Sequence, residues 1–209
     1  MVRNRVRIRY RKQGDLRLIG HRDLVRAWER VFRRAGIRLS MSEGFHPKPR
    51  MNFPSALAVG VSGADEVLEA QLADSLTASQ VRSALEPHVP EGLAVTAVEQ
   101  LPPEAPPGEA QRVTYELAVP APWCDGLPQR VAAFLARGAH LVDRGQGRKP
   151  VDLGQFVHAI ELVDGLLRMQ IRVTRQGTAR PRELLEAIGL EDLEQQGLFL
   201  TRTAVELKP

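Results

Sequence analysis

The chain begins with a strict alternation of apolar and basic positions. Residues 3–12 read RNRVRIRYRK, with Val6, Ile8 and Tyr10 falling between arginines. Successive side chains of a β-strand point to opposite faces of the sheet, so this alternation predicts a strand with one apolar and one basic face. The basic face would carry Arg3, Arg5, Arg7, Arg9 and Arg11.

The pattern becomes helical between His21 and Ala35. Apolar residues recur there at spacings of three and four, which is typical of a helix with one buried face. Gly36 follows directly and is expected to end the helix. The apolar positions are Leu24, Val25, Trp28, Val31, Phe32 and Ala35.

Four further elements follow before the Pro-rich segment at residues 100–111. Residues 56–61 and 66–72 are predicted to be two strands around a turn at residues 62–65. A helix capped by Thr77 or Ser79 and a strand over 92–101 come next, completing the order β-α-β-β-α-β of the ferredoxin-like motif.

The second half repeats this order of elements. We predict strands over 112–120 and 197–207, helices over 127–138 and 180–189, and a hairpin over 156–174 that turns at Asp164-Gly165. The fold class is therefore predicted to be α+β, with two tandem ferredoxin-like (βαββαβ) domains. They would span residues 1–99 and 112–209, joined by a Pro-rich linker at 100–111.

Charge is distributed unevenly along the chain. Residues 1–50 hold 15 Lys and Arg against 4 Asp and Glu, while residues 51–209 hold 14 against 21. Clustered arginine favours a phosphate-rich partner. The alternative is that the acidic part neutralises the basic part within the same fold.

Composition excludes several classes of protein. Cys124 is the only cysteine, which rules out an intrachain disulfide and a cysteine cluster for zinc or iron–sulfur. No apolar run approaches the roughly 20 residues that span a bilayer. We expect a cytoplasmic protein with no membrane partner.

The arginine strand is the first candidate binding surface. In a ferredoxin-like sheet the helices cover one face, and the other face binds nucleic acid in several domains of this fold. Guanidinium groups donate bidentate hydrogen bonds to phosphate and can stack on bases. The predicted nucleic-acid-binding residues are Arg3, Arg5, Arg7, Arg9, Arg17, Arg34, Lys48 and Arg50. A solvated strand face, or one covered by the second domain, is the alternative.

The segment SEGFHPKPR, residues 42–50, is a second candidate. An imidazole beside fixed cations suits acid–base work on a phosphodiester, so His46 is a candidate catalytic residue and His21 a possible second one. The alternative is that His46 only packs or binds phosphate. No metal-ligand spacing is recognisable among the remaining histidines.

Three motifs resemble the radical SAM-linked proteins (DUF2344), an uncharacterised bacterial family: GDLRLIGHRDL (14–24), ERVFRRAGI (29–37) and SEGFHPKPRMNF (42–53). Members are encoded beside, or fused to, a radical SAM protein, often near ribosome- and RNase-related genes, which implies work with RNA. This chain has no C-x-x-x-C-x-x-C, so an iron–sulfur cluster and SAM are expected only on a partner. The matching motif positions are Asp15, Arg17, His21, Asp23, Arg34, Ser42, Gly44, Phe45, His46, Pro47 and Pro49.

Three functional hypotheses follow. The leading one is an RNA-binding accessory protein that holds structured RNA, such as tRNA or rRNA, for a separate radical SAM protein. The second is a metal-independent endoribonuclease, because the element order and basic loop are also similar to CRISPR-processing endoribonucleases. The third is a protein-only assembly module. The sequence leaves open whether the chain is an enzyme.

Overall fold

The computed structural model of the chain describes residues 4–145, 147 and 150–209. Two compact units are distinguishable: Met1–Glu109 with Leu207–Pro209, here the first unit, and Ala110–Glu206, the second unit. Both combine helices with mostly antiparallel strands. The predicted α+β class is therefore confirmed.

The first unit is built around a sheet whose central strand is the arginine-rich one. The helices and strands are β1 (Asn4–Lys12), α1 (His21–Arg34), β2 (Met51–Asn52), β3 (Ser62–Leu72), α2 (Ala78–Leu85) and β4 (Leu93–Leu101). Two short 3-10 turns, Gly14–Leu18 and Glu86–His88, accompany these elements. β1 pairs antiparallel with both β3 and β4, and β2 pairs antiparallel with β3.

The apolar face of β1 forms the core with α1, as the alternation predicts. Val6 and Ile8 are fully buried, and Tyr10 meets the indole of Trp28 edge to face with ring centroids 5.1 Å apart. Phe32, one turn further along α1, completes the aromatic part of this core. Burying one such large side chain contributes about 1.5–3 kcal/mol, so the pairing of β1 with α1 is strongly specified.

The predicted turn at residues 62–65 is wrong. Residues 62–72 form the single strand β3, and residues 56–61 lie outside any strand. Gly63, which resembles a turn residue in the sequence, lies within the strand opposite Lys12. A Cβ at Gly63 would lie 2.4 Å from Cγ of Glu66, so glycine is required there for the close approach of a side chain rather than for a turn.

An eleven-residue hairpin interrupts the strand segment that pairs with β3. Leu39 pairs with Leu72 before the interruption, and Met51 pairs with Ala70 after it. Residues 40–50 therefore protrude from the sheet, and we call them the 40–50 hairpin. Its base is closed by the Arg50 amide, which donates to the Ser40 carbonyl at 2.8 Å.

The helices and strands of the second unit are β5 (Ala110–Ala118), α3 (Ala121–Cys124), α4 (Leu127–Ala136), β6 (Leu141–Val142), β7 (Val151–Asp152), β8 (Val157–Val163), β9 (Leu166–Arg172), α5 (Pro181–Ala187) and β10 (Thr201–Leu207). Short 3-10 turns occur at Leu153–Gln155 and Glu191–Gln196. Within this unit the long strands follow the order β10-β5-β9-β8. The predicted hairpin of β8 and β9 is confirmed, and its turn has Asp164 at φ 51° and Gly165 at φ 74°.

Across the part of the chain that the structure describes, every helix is too short or too polar to cross a membrane.

Candidate nucleic-acid interface

Three arginines of β1, Arg5, Arg7 and Arg9, form ion pairs with carboxylates of the neighbouring strands. Arg7 faces Glu69 of β3 and Glu99 of β4 in the sheet register. Its guanidinium lies 2.9 Å from the Glu69 carboxylate and 2.8 Å from the Glu99 carboxylate. Arg9 lies opposite Val67 in the register and forms a diagonal ion pair with Asp65 of β3. Cross-strand pairs of opposite charge stabilise a sheet, so this row contributes to the fold of the first unit.

Glu69 is the centre of this network. Its side chain is 2% exposed, and it accepts hydrogen bonds from Arg5 at 3.2 Å, from Arg7 and from the Gly108 amide at 2.9 Å. Burial alone would raise the pKa of Glu69, but the hydrogen bonds from Gly108, Arg7 and Asn52 outweigh it and hold that pKa below its ordinary value of 4.5. Glu69 is therefore a buried carboxylate that stays ionised.

The Pro-rich segment is attached to this network within the first unit. Arg5 also donates to the Ala105 carbonyl, and the Asn52 side chain donates to the Gly108 carbonyl at 3.0 Å. A Cβ at Gly108 would lie 2.6 Å from a carboxylate oxygen of Glu69. Glycine is needed at this position so that the backbone can approach the carboxylate.

Ion pairing and partial burial leave the arginines of β1 less accessible to a ligand than the sequence predicts. The side chains of Arg5, Arg7 and Arg9 are 13%, 22% and 33% exposed, and each contacts a carboxylate. Arg11 is exposed at the end of the row. Arg3 lies outside the described residues. We call Arg5, Arg7 and Arg9 the strand row.

A second set of arginines lies on the outer face of α1. We call them the helix stripe: Arg22, Arg26, Arg30, Arg33 and Arg34, all of them exposed. At 1.5 Å of rise per residue the stripe is about 18 Å long, and it lies opposite the buried face of the helix. Arg26 lies 3.4 Å from Asp23. Within the described part of the chain, the other four arginines of the stripe have no carboxylate within 4.0 Å.

The 40–50 hairpin presents an exposed aromatic ring, with His46 and Lys48 on one side of it in the sequence and the acidic Glu43 on the other. Phe45 is fully exposed at its tip, and His46 and Lys48 beside it are exposed as well. The loop is ordered by its own hydrogen bonds: Ser42 Oγ accepts from the Lys48 amide at 2.9 Å, and Arg50 Nε donates to the Met41 carbonyl at 3.1 Å. An exposed aromatic side chain held in this way is suited to stacking on a base.

The two candidate catalytic histidines are not brought together by any contact among the described residues. His21 begins α1 and packs edge to face against Phe53, with ring centroids 5.1 Å apart. Partial burial, together with the positive charge of Lys12, lowers the pKa of His21 below its ordinary 6.5, so the ring is neutral near pH 7. His46 lies at the tip of the hairpin. The structure therefore offers two separate imidazoles rather than an acid–base pair.

The remaining predicted binding residues occupy different positions. Arg17 lies in the turn before α1, where it donates to the Gly14 carbonyl at 3.1 Å and lies 3.7 Å from Asp15. Arg34 ends the helix stripe. Arg50 is at the base of the hairpin, 3.9 Å from the exposed Glu43. Among the residues described, no three His, Cys, Asp or Glu side chains cluster as a metal site would require.

The predicted set of binding residues omitted several that the structure brings to the surface. Arg22, Arg26, Arg30 and Arg33 are not in that set, although the sequence places them opposite the apolar positions of α1, where they extend the basic surface of the first strand. The pairing of Glu69 with Arg5 and Arg7 had no such signal, because it depends on the register of β3 against β1.

Comparison with known proteins identifies one family. A family model described as an uncharacterized protein conserved in bacteria (DUF2344) matches residues 5–181, which confirms that part of the predicted resemblance. No curated protein matches the chain. Among solved structures, a crystal structure described as a candidate glycine cleavage system transcriptional repressor is similar at 10% identity with a TM-score of 0.26, over 100% of this chain and 99% of that one. A TM-score this low carries no argument about fold or function.

Proposed function

We propose an RNA-binding role for this chain, which belongs to the DUF2344 family of uncharacterised bacterial proteins. The contact surface would be the helix stripe together with the tip of the 40–50 hairpin. The ligand would be a structured RNA such as tRNA or rRNA, in which paired and unpaired nucleotides lie side by side.

The observation that carries this proposal is the difference in pairing between the two sets of arginines. The strand row is held by carboxylates, whereas four arginines of the helix stripe have no carboxylate within 4.0 Å among the described residues. Guanidinium groups that are exposed and not engaged by carboxylates are the ones available to phosphate oxygens. Phe45 adds a ring for a base, which phosphate binding alone would not require.

The accessory role remains part of the proposal. The resemblance to radical SAM-linked proteins supports a separate radical SAM protein as the partner that holds the iron–sulfur cluster and SAM. This chain would then position the RNA in the cytoplasm while the partner performs the chemistry. The strand row would support the fold of the first unit and would not itself contact RNA.

We also infer a ferredoxin-like topology for each unit. In the first unit β1 lies between β4 and β3, and β2 pairs with β3; in the second, β5 lies between β10 and β9, and β8 pairs with β9. Both orders place the first strand between the last and the third, as a split βαβ arrangement does. The two-residue β2 would be the remnant of an edge strand interrupted by the 40–50 hairpin.

Fluorescence anisotropy with a folded tRNA across a salt series tests RNA binding. The test variant is Arg22→Glu/Arg30→Glu. Its matched control is Arg130→Glu/Arg137→Glu, which makes the same change in net charge at an exposed helix of the second unit. Four phosphate contacts should give log affinity falling with log salt at a slope of about −3 to −4.

Three outcomes are distinguishable. A slope of that size that is lost in the α1 variant and kept in the control supports the proposal. An equal loss in both variants would mean that only net charge matters. Absence of binding at low salt would overturn RNA binding and leave the protein-only assembly module.

Exposed His46 beside Lys48 keeps the endoribonuclease hypothesis as a second candidate. An imidazole next to a fixed cation can transfer a proton while the cation stabilises the charged transition state. Incubation of the same tRNA in excess EDTA, followed by gel analysis, tests it. Cleavage that disappears in His46→Ala would support the hypothesis, and an intact RNA would exclude it for that substrate.

A further inference from the structure

A groove lies between the end of α1 and the base of the 40–50 hairpin. It has a volume of about 410 Å³, within the range of pockets that hold small organic molecules. Its lining includes Phe32 and Ile37, which belong to the core, and Met41 and Pro49, which face each other across the hairpin base. Met41 is 48% exposed, so the groove presents an apolar surface to solvent.

The rim of this groove is charged. Arg33 lines it and is also a member of the helix stripe. Glu29, one turn earlier on α1, supplies a carboxylate that can accept hydrogen bonds. Arg38 lines the far side, but its guanidinium is held by Asp74, with Nε donating at 3.1 Å. A ligand with an apolar, planar body, donor groups at its edge and a phosphate beside it would match these features.

We propose that this groove receives one unpaired nucleobase of the bound RNA. The inference rests on the proposed RNA-binding function and narrows its ligand to an RNA with a bulged or looped-out nucleotide. The base would lie against Met41 and Pro49, Glu29 would accept from its amino or imino group, and Arg33 would hold the adjacent phosphate. Thioethers make favourable contacts with aromatic rings, which suits Met41 to this position.

Charge complementarity and continuity favour a nucleotide over an apolar side chain of a protein partner. The groove opens beside the helix stripe, so an RNA backbone that follows the stripe passes its rim. A protein partner would have to bring a carboxylate to Arg33 and avoid Glu29, whereas a nucleotide carries its own phosphate and its own donors.

The test compares three RNA hairpins of identical stem: one fully paired, one with a single bulged guanosine, and one with an abasic residue at the bulge. Affinities are measured by anisotropy for the wild type and for Met41→Asp, which places a carboxylate in the groove. Met41→Leu is the matched control, because it keeps the apolar surface. Thermal unfolding of each variant establishes that the first unit is intact.

We expect the wild type to bind the bulged RNA about tenfold more tightly than the paired and abasic RNAs. Met41→Asp should lose this preference and keep its affinity for the paired stem, while Met41→Leu should retain both. Equal affinity of the wild type for all three RNAs would overturn the groove inference and leave RNA binding standing. Failure to bind any of them at low salt would instead overturn the proposed function.

Discussion

β1 and α1 are neighbours in the first unit, and both carry arginines at regular spacing, yet the two sets have different surroundings. Every member of the strand row contacts a carboxylate of β3 or β4. Among the described residues, the helix stripe has one carboxylate contact, between Arg26 and Asp23 of the same helix. A strand inside a sheet has neighbours on both sides that can present carboxylates in register. The outer face of a helix has none.

This difference separates two roles that look alike in sequence. An arginine held by a buried carboxylate contributes to stability, and removing its partner is costly because a charge is left in a poorly solvated place. An arginine on an open helix face contributes little to stability and is free to bind phosphate. Replacing an arginine by alanine should therefore lower the stability of the protein in the strand row and weaken RNA binding in the helix stripe.

The largest effect is expected at Glu69. Glu69→Ala should lower the free energy of unfolding by about 3 kcal/mol, because Arg5 and Arg7 lose a shared, buried partner. Glu99→Ala is the matched control, since Glu99 also pairs with Arg7 but its side chain is 56% exposed; it should cost less than about 1 kcal/mol. Urea unfolding monitored by circular dichroism measures both. Equal costs would show that burial of the network is unimportant.

The contribution of the Glu69 network to stability should depend on pH. The folded-state pKa of Glu69 lies below its ordinary value of 4.5, so the unfolded chain takes up the proton first as the pH falls. The stabilisation is therefore complete above that value and is lost as the pH falls through the folded-state pKa. The difference in urea midpoint between wild type and Glu69→Gln should shrink between pH 6 and pH 3. A constant difference would contradict the ionised carboxylate.

The helix stripe should respond in RNA binding and not in stability. Arg22→Ala/Arg30→Ala should reduce the magnitude of the salt slope by roughly 1.4–1.8, while the free energy of unfolding stays within about 0.5 kcal/mol of wild type. Arg7→Ala should show the reverse: an unchanged slope and a lower stability. A salt series by anisotropy and urea unfolding together measure the contrast. A reduced salt slope in Arg7→Ala would instead indicate that the strand row contacts the RNA.

The smallest effect is expected at the hairpin tip. Phe45→Ala should weaken RNA binding by about 1 kcal/mol, or roughly fivefold, through loss of base stacking. Stability should not change, because the ring is fully exposed. Phe45→Tyr, which keeps an aromatic ring, should restore the affinity. If Phe45→Tyr binds as weakly as Phe45→Ala, stacking is not what the ring provides.

Much of the secondary structure was predictable, because β1, α1 and the β8–β9 hairpin follow from local periodicity and turn chemistry. The missed features depend on distant residues. Gly63 resembles a turn residue in the sequence, but it lies within β3 because it pairs with Lys12 of the distant strand β1. The interrupted strand at Leu39 and Met51 is recognisable only because both segments pair with β3.

The site was predictable to a smaller extent. The basic character of the first 50 residues, the exposed face of α1 and the turn-rich loop at 42–50 are all visible in the sequence. Whether each arginine is available to bind phosphate cannot be read from the sequence. It depends on whether a carboxylate lies within reach, and Glu69 and Glu99 are each more than 60 positions away from Arg7 along the chain.

The sequence by itself determined the alternation that buries Val6 and Ile8, the amphipathic face of α1 and the excess of positive charge in the first unit, because these are properties of neighbouring residues. Only the tertiary structure decided which of those charges are neutralised. Strand register brings Glu69 within ion-pair distance of Arg5 and Arg7, whereas no described carboxylate lies within 4.0 Å of Arg22 or Arg30. Charge pairing acts over a few ångströms in space, and register, not sequence distance, sets which side chains come that close.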